Sequence, residues 1–241
     1  MNSNKRIKKM VYALFMLFTL MITTNVYADT PHNLNLKMVK CDSNKYNNLL
    51  TYDDYNNCYT DYINGDLSTY VINNNDEVDA GSTIMFILNY VPGSPQVITS
   101  INSRLLIDTA IWTPAEDEGE FLFFETNNWP RKSNYTTDWN YNSATGVIGG
   151  SFVDSKNKPL TSETELVYFF LKLNDSATGS ASVNFSKEGG RQDVTDFDGT
   201  RYEVNTTDIS VNIPGEEISH DATLGTLTVT NSSTTYQSSP S

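Results

Sequence analysis

Beyond its first 28 residues, this chain places apolar side chains at every second position in run after run, the period of a half-buried strand. The densest run is 164–173 (TELVYFFLKL). Val167, Phe169 and Leu171 fall on one side of the alternation, and Leu166, Tyr168, Phe170 and Leu173 are apolar as well. A short run rich in aromatic and β-branched residues, with neither face fully polar, reads as a central strand. Asn174-Asp175 and Thr178-Gly179 end it, and residues 181–185 (ASVNF) begin a second, alternating strand.

Taken in order, strands are predicted at 33–39 (NLNLKMV), 69–72, 82–90 (STIMFILNY), 97–101, 104–107, 110–113, 121–126 (FLFFET), 147–152 (VIGGSF) and 208–213 (DISVNI). Turn formers separate them, among them Pro92-Gly93-Ser94-Pro95, residues 187–190 and Asp196-Phe197-Asp198-Gly199. Residues 41–66 are polar and rich in Tyr, Asn and Asp, and read as a long loop or small decoration. Residues 127–143 read as an aromatic-dense loop. No stretch shows a convincing amphipathic helix. Short strands with turn signals at intervals of about ten residues predict an all-β sandwich.

The N-terminus departs from this pattern. Residues 5–9 (KRIKK) are basic, 10–22 are apolar apart from Thr19, and Val26-Tyr27-Ala28 places small residues where a signal peptidase reads. Residues 1–28 therefore read as a secretory signal peptide cleaved after Ala28. The other reading is an uncleaved membrane anchor, for which the apolar core is short, since a span takes about 20 residues. The organisation expected is a signal at 1–28, a strand and loop at 29–66 packed on the sandwich, the sandwich itself at 67–214, and a linker with the start of a truncated second β unit at 215–241. Residues 221–229 (DATLGTLTV) read as that unit's opening strand.

Charge narrows the partners. The full chain carries 29 acidic and 16 basic residues, a net charge of −13. Residues 1–28 hold four basic and no acidic side chains, so cleavage takes the net charge to −17. An acidic surface of that size repels nucleic acid and anionic lipid. Contact with a membrane is then expected only through an uncleaved signal or a C-terminal anchor.

Two cysteines, Cys41 and Cys58, stand in a chain expected to be exported, where disulfides persist. Pairing them closes one loop, worth about 3 kcal/mol in the chain-entropy account. The alternative is two free thiols.

Catalytic signatures are sparse. Outside residues 1–28 the histidines are His32, near the expected cleavage site, and His220, in the expected linker. A hydrolytic triad needs a His beside a nucleophile, and neither position suggests a pocket. Glu116, Asp117, Glu118 and Glu120 could be a glycosidase pair, but they read better as a solvated turn. Asp196 and Asp198 alternate before Gly199, a fragment of a calcium loop lacking the other ligands; a plain turn is the stronger reading and no cofactor is expected. The best ligand-site candidate is the aromatic loop, with Trp129, Tyr135, Trp139 and Tyr141 to stack on sugar rings and Arg131, Asp138 and Asn140 to hydrogen-bond them. The alternative is that Trp129 and Trp139 fold back and cap the core.

Four segments carry a family resemblance. Residues 76–90 (DEVDAGSTIMFILNY) resemble the opening Gly and alternating apolar strand of cohesin domains. Residues 98–107 occupy the place of a second sheet strand. Residues 166–185 (LVYFFLKLNDSATGSASVNF) resemble the family's apolar strand, small-residue turn with Gly, and following strand. Residues 196–213 resemble its acidic turn with Gly and closing strand. The resemblance covers roughly 67–214 and implies a jelly-roll sandwich of about nine strands, related to family 3 carbohydrate-binding modules. Residues 221–229 separately resemble the start of a cadherin-like repeat. The function implied is a non-catalytic attachment module of a secreted or cell-surface protein, binding an extracellular protein or a polysaccharide. The alternative is a structural spacer in a multidomain adhesin.

Overall fold

The computed structural model describes residues 30–42, 44–67, 70–94, 98–125, 135–154, 160–188, 190–215, 218–221 and 226–229. The expected signal lies outside them.

The alternating runs form strands close to their expected places, with others between them that the alternation did not indicate. They are β1 (His32–Cys41), β2 (Val71–Ile72), β3 (Thr83–Val91), β4 (Ile98–Ile107), β5 (Trp112–Pro114), β6 (Glu116–Asp117), β7 (Glu120–Phe121) and β8 (Phe123–Glu125). Then follow β9 (Tyr135–Asn142), β10 (Val147–Asp154), β11 (Thr164–Leu173), β12 (Gly179–Phe185), β13 (Asp193–Asp196), β14 (Arg201–Thr207) and β15 (Ile209–Ile213). A first sheet is built on β11, which pairs antiparallel with β3 on one edge and with β5 and β8 on the other; β3 then pairs with β1. A second sheet is built on β4, flanked by β10 on one edge and by β12 and β13 on the other. Beyond these lie β9, on β10, and β15, on β12. β14 joins the two, antiparallel to β13 and parallel to β1. Two sheets facing one another over a shared apolar core make a β-sandwich, the fold class expected.

Period-2 alternation decides what enters that core. From β11, Val167, Phe169 and Leu171 point inward, and from β3 so do Ile84, Phe86 and Leu88. The second sheet answers with Ile101 and Leu105 of β4, Ile148 and Phe152 of β10, and Val183 and Val194. A bulge at Leu166, between Glu165 and Val167, shifts the register of β11 against β3.

Residues 41–66 correct the sequence reading. They hold a helix, α1 (Tyr52–Ile63), in place of a loop. Its start follows from local chemistry. The Thr51 hydroxyl accepts from the Asp54 N–H and the Asp54 carboxylate accepts from the Thr51 N–H, a reciprocal cap. Gly65 follows its end with φ +85°. Tyr55, Cys58, Tyr59 and Tyr62, spaced i, i+3, i+4, i+7, form one face. That face covers the outer side of the first sheet, where Val39, Met85, Ile87, Tyr168 and Phe170 are buried in a second core. A disulfide between Cys41, at the end of β1, and Cys58, 17 positions further on, fastens it. The pairing expected from the cysteines is therefore present.

Other departures have similar causes. The strands expected at 97–101 and 104–107 are one continuous β4. The strand expected at 121–126 is broken at Leu122 into β7 and β8. β13 and β14 had no strong apolar signal, since β14 buries few side chains and is held by its two neighbours. In place of one strand at 221–229, β16 (Ile218–Asp221) pairs antiparallel with β17 (Thr226–Val229). Among the described residues, no helix is long and apolar enough to cross a membrane.

Candidate functional site

The expected aromatic loop is the largest correction. Residues 135–142 are β9, hydrogen-bonded along its length to β10. Trp139 lies opposite Gly150 and Tyr141 opposite Ile148, on the inner side of the sheet. Trp139 is only 6% exposed and belongs to the main core, and Tyr141 packs beside Phe121 at 6.2 Å between ring centroids. A ring buried like Trp139 offers no face to a sugar. Tyr135 opens β9, and Trp129 and Arg131 lie outside the described residues. The second option, Trp139 folded into the core, is the observed one. Asn140 is different: it occupies the outer side, opposite Gly149, and is exposed.

The remaining candidates resolve into structure. Asp196 Oδ1 accepts from the N–H groups of Asp198 and Thr200, and its Oδ2 from the Tyr202 hydroxyl. Its carboxylate thus closes the turn to β14 itself. Glu116, Asp117 and Glu120 are exposed in the β6–β7 hairpin, turned at Glu118 and Gly119 with positive φ. His32 corrects the expectation of a peripheral side chain. Its ring is buried, with Nδ1 2.9 Å from the donating Gly93 N–H and 2.8 Å from the Tyr90 hydroxyl. Tyr90 and Gly93 thus hold the ring in the end of the sandwich.

What remains is the outer side of the second sheet. The first sheet's outer side is closed by α1, but the second has no element packed on it among the described residues. Its outward positions come from the same alternation that fills the core. β4 contributes Ser100, Asn102, Arg104 and Leu106, and register places them against Val153, Ser151, Gly149 and Val147 of β10. β9 continues the rows with Asn140, and β13 with Asp193 and Thr195. The face is mostly polar, and its apolar Val153 is 41% exposed. Near its centre lies a cavity of about 220 Å³ lined by Asn102, Arg104, Asn140, Ser151 and Arg191, with Gly149, Gly150 and Gly190 as its floor and wall.

Arg104 organises this cavity. Its N–H donates to Gln192 Oε1 at 2.8 Å and its carbonyl accepts from the Ser186 N–H at 3.0 Å. Gln192 is buried and donates in turn to Ser103 Oγ at 3.4 Å. Asn102 Nδ2 donates to Asp193 Oδ1 at 2.6 Å, and Arg191 Nε stands 4.0 Å from Asp193 Oδ2. Sequence reasoning missed these residues except Asn140. The alternating Ser100, Asn102 and Arg104 were the available signal, and dividing β4 in two hid it.

No protein-family model matches the chain, and no curated protein matches it. Solved structures similar to it are cohesin domains of types I and II. One is the sixth cohesin of scaffoldin B from Acetivibrio cellulolyticus, solved in complex with a mutant Cel5 dockerin. It is 13% identical, with 77% of this chain and 100% of that one covered and a TM-score of 0.48. Type II cohesin A11 from Bacteroides cellulosolvens is 13% identical over 58% of this chain and 95% of that one, with a TM-score of 0.49. The Coh-OlpC cohesin from Clostridium thermocellum, in complex with Doc435, is 18% identical over 58% and 88%, with a TM-score of 0.45. The likeness is one of fold, and the sandwich itself rests on the strand pairings above.

Proposed function

We propose that this chain is a non-catalytic module that binds a protein partner through the open face of its second sheet. The observation that carries the reading is the asymmetry of the sandwich. One sheet is covered by a disulfide-fastened helix, and the other presents β9, β10, β4 and β13 side by side with no cover among the described residues. Strands about 4.8 Å apart, rising about 3.3 Å per residue over some eight residues, give a face on the order of 500 Å². That approaches the roughly 800 Å² each partner buries in a standard interface. Export is part of the reading, supported by the signal-like residues 1–28 and the Cys41–Cys58 disulfide.

The test is capture of secreted proteins of the source organism on the immobilised chain, with the retained protein identified, purified and bound again. Val153→Arg and Thr195→Arg place bulky charges on the open face and should abolish rebinding. Tyr52→Arg, exposed at the start of α1, should leave it intact. Rebinding that ignores the open-face substitutions, or retention on insoluble polysaccharide alone, would sink the reading.

A further inference from the structure

We infer that the cavity at the centre of the open face is a carboxylate-binding pocket that receives an acidic side chain of the protein partner, an inference that rests on the open face being the partner surface. The first ground is how Arg104 is held. Its outward position in β4 lies directly opposite Gly149 of β10. A Cβ on Gly149 would stand 3.0 Å from Arg104 Nη1 and 3.1 Å from its Cγ, and a Cβ on Gly190 would overlap the guanidinium. Glycine on both sides therefore lets the guanidinium lie along the sheet between two stretches of backbone. With its N–H and carbonyl both bonded, the residue is oriented before any partner arrives.

The second ground is charge. The chain is strongly acidic, yet two of its 16 basic residues, Arg104 and Arg191, line one cavity of about 220 Å³. Among the described residues Arg104 makes no ion pair, while the neighbouring Asp193 is engaged by Asn102 and approached by Arg191. A guanidinium fork without an acidic partner matches a carboxylate through two parallel N–H···O bonds. The Asn102 and Asn140 amides and the Ser151 hydroxyl supply further groups around the same space. The third ground is the lining itself, which among the described residues contains no aromatic ring on which a sugar could stack, so an acidic peptide fits better than an acidic polysaccharide.

The probes are a short capped peptide, Gly-Asp-Glu-Gly, its Gly-Asn-Gln-Gly counterpart, and inorganic phosphate, each titrated into isotope-labelled protein at low ionic strength. The acidic peptide should move the amide resonances of Arg104, Gly149 and Gly190, and the neutral peptide should not. Arg104→Gln should weaken binding at least tenfold, and Arg104→Lys, which keeps the charge but loses the fork, by a smaller factor. Both variants should melt close to the parent, because the side chain is partly exposed, and a circular dichroism melt checks this. Equal response to the two peptides, or unchanged binding by Arg104→Gln, overturns the inference. Response to phosphate without response to the acidic peptide also overturns it, in favour of a tetrahedral anion. Partner rebinding lost in Val153→Arg but retained in Arg104→Gln removes the pocket and leaves the open face standing. Rebinding that ignores both substitutions removes the open face, and the partner's carboxylate with it.

Discussion

Phe169 and Phe170 are neighbours in β11, both fully buried, and belong to different cores. Phe169 stacks on Phe86 inside the sandwich at 5.5 Å between centroids. Phe170 points the other way, to Tyr55 of α1 at 4.9 Å and Phe124 at 5.7 Å. Period-2 geometry separates the two rings, and the helix is the reason the second can be apolar. Without α1, Met85, Ile87, Tyr168 and Phe170 would form an exposed apolar patch on the sheet.

This relationship predicts two different failures. Phe169→Ala and Phe170→Ala should each destabilise by about 3–5 kcal/mol, the usual loss for a buried aromatic. Phe169→Ala should loosen the whole sandwich, whereas Phe170→Ala should loosen α1 first. Hydrogen exchange would separate them: protection falls throughout in the first case and earliest over residues 52–63 in the second. Uniform loss in both would mean that the two cores unfold as one.

The disulfide gives a related prediction. Cys41→Ser with Cys58→Ser should cost about 3 kcal/mol, the value for closing a loop of this length in the unfolded chain. Thr51→Ala, which removes the helix cap, should cost about 1 kcal/mol. Neither change touches the open face, so partner rebinding measured below the melting temperature should persist. Loss of rebinding in the folded double variant would show that the covered face takes part.

Much of the sandwich was legible because burial imposes alternation. β1, β3, β11 and β15 sit within a residue or two of their expected positions, since each fills the core from one or both faces. The helix was not legible. Tyr, Asn, Asp, Thr and Cys are weak helix formers, and the stripe of Tyr55, Cys58, Tyr59 and Tyr62 is polar at its tips while apolar in its rings. β14 was missed because its place depends on β1, far away in sequence. Aromatic density at 127–143 suggested an exposed platform, but the same rings, read at period 2, put Trp139 and Tyr141 on the inner side of a strand. Arg104, Gly149 and Gly190 come from three separate segments, and only cross-strand register brings them together.

Trp139 offers a direct check on that correction. Its indole is buried in the main core, and its Nε1–H finds no hydrogen-bond partner among the described residues. Trp139→Ala should cost about 3–5 kcal/mol through lost packing. Trp139→Phe should cost much less than the alanine variant, because it keeps an aromatic ring in the core while shedding the same unpartnered donor. Retention of the folded Trp139→Phe protein on insoluble polysaccharides should equal that of the parent. A drop in retention at unchanged stability would restore Trp139 as a sugar-binding ring.

The tyrosines around α1 predict how stability depends on pH. Burial, reinforced by donation to Asp61 at 2.8 Å, pushes the Tyr46 phenol up to about 12. Burial likewise raises Tyr62, which donates to Glu165, and Tyr55, as it does Tyr90 in the main core away from the helix. An unfolded tyrosine ionises near pH ~10. Above that pH the unfolded chain has lost protons that the folded chain still holds, so stability falls as pH rises through the folded values. Lys45 acts in the same sense, its ammonium held protonated chiefly by its hydrogen bond to Asp61. The melting temperature should therefore vary little between about pH 7 and 9 on account of these groups and then drop steeply toward pH ~12, with phenolate absorbance appearing together with unfolding. Tyr62→Phe keeps the ring against Tyr168 and removes one titrating hydroxyl, so its melting temperature should fall less steeply over the alkaline range. Equal slopes for parent and variant would place the alkaline transition elsewhere than under the helix.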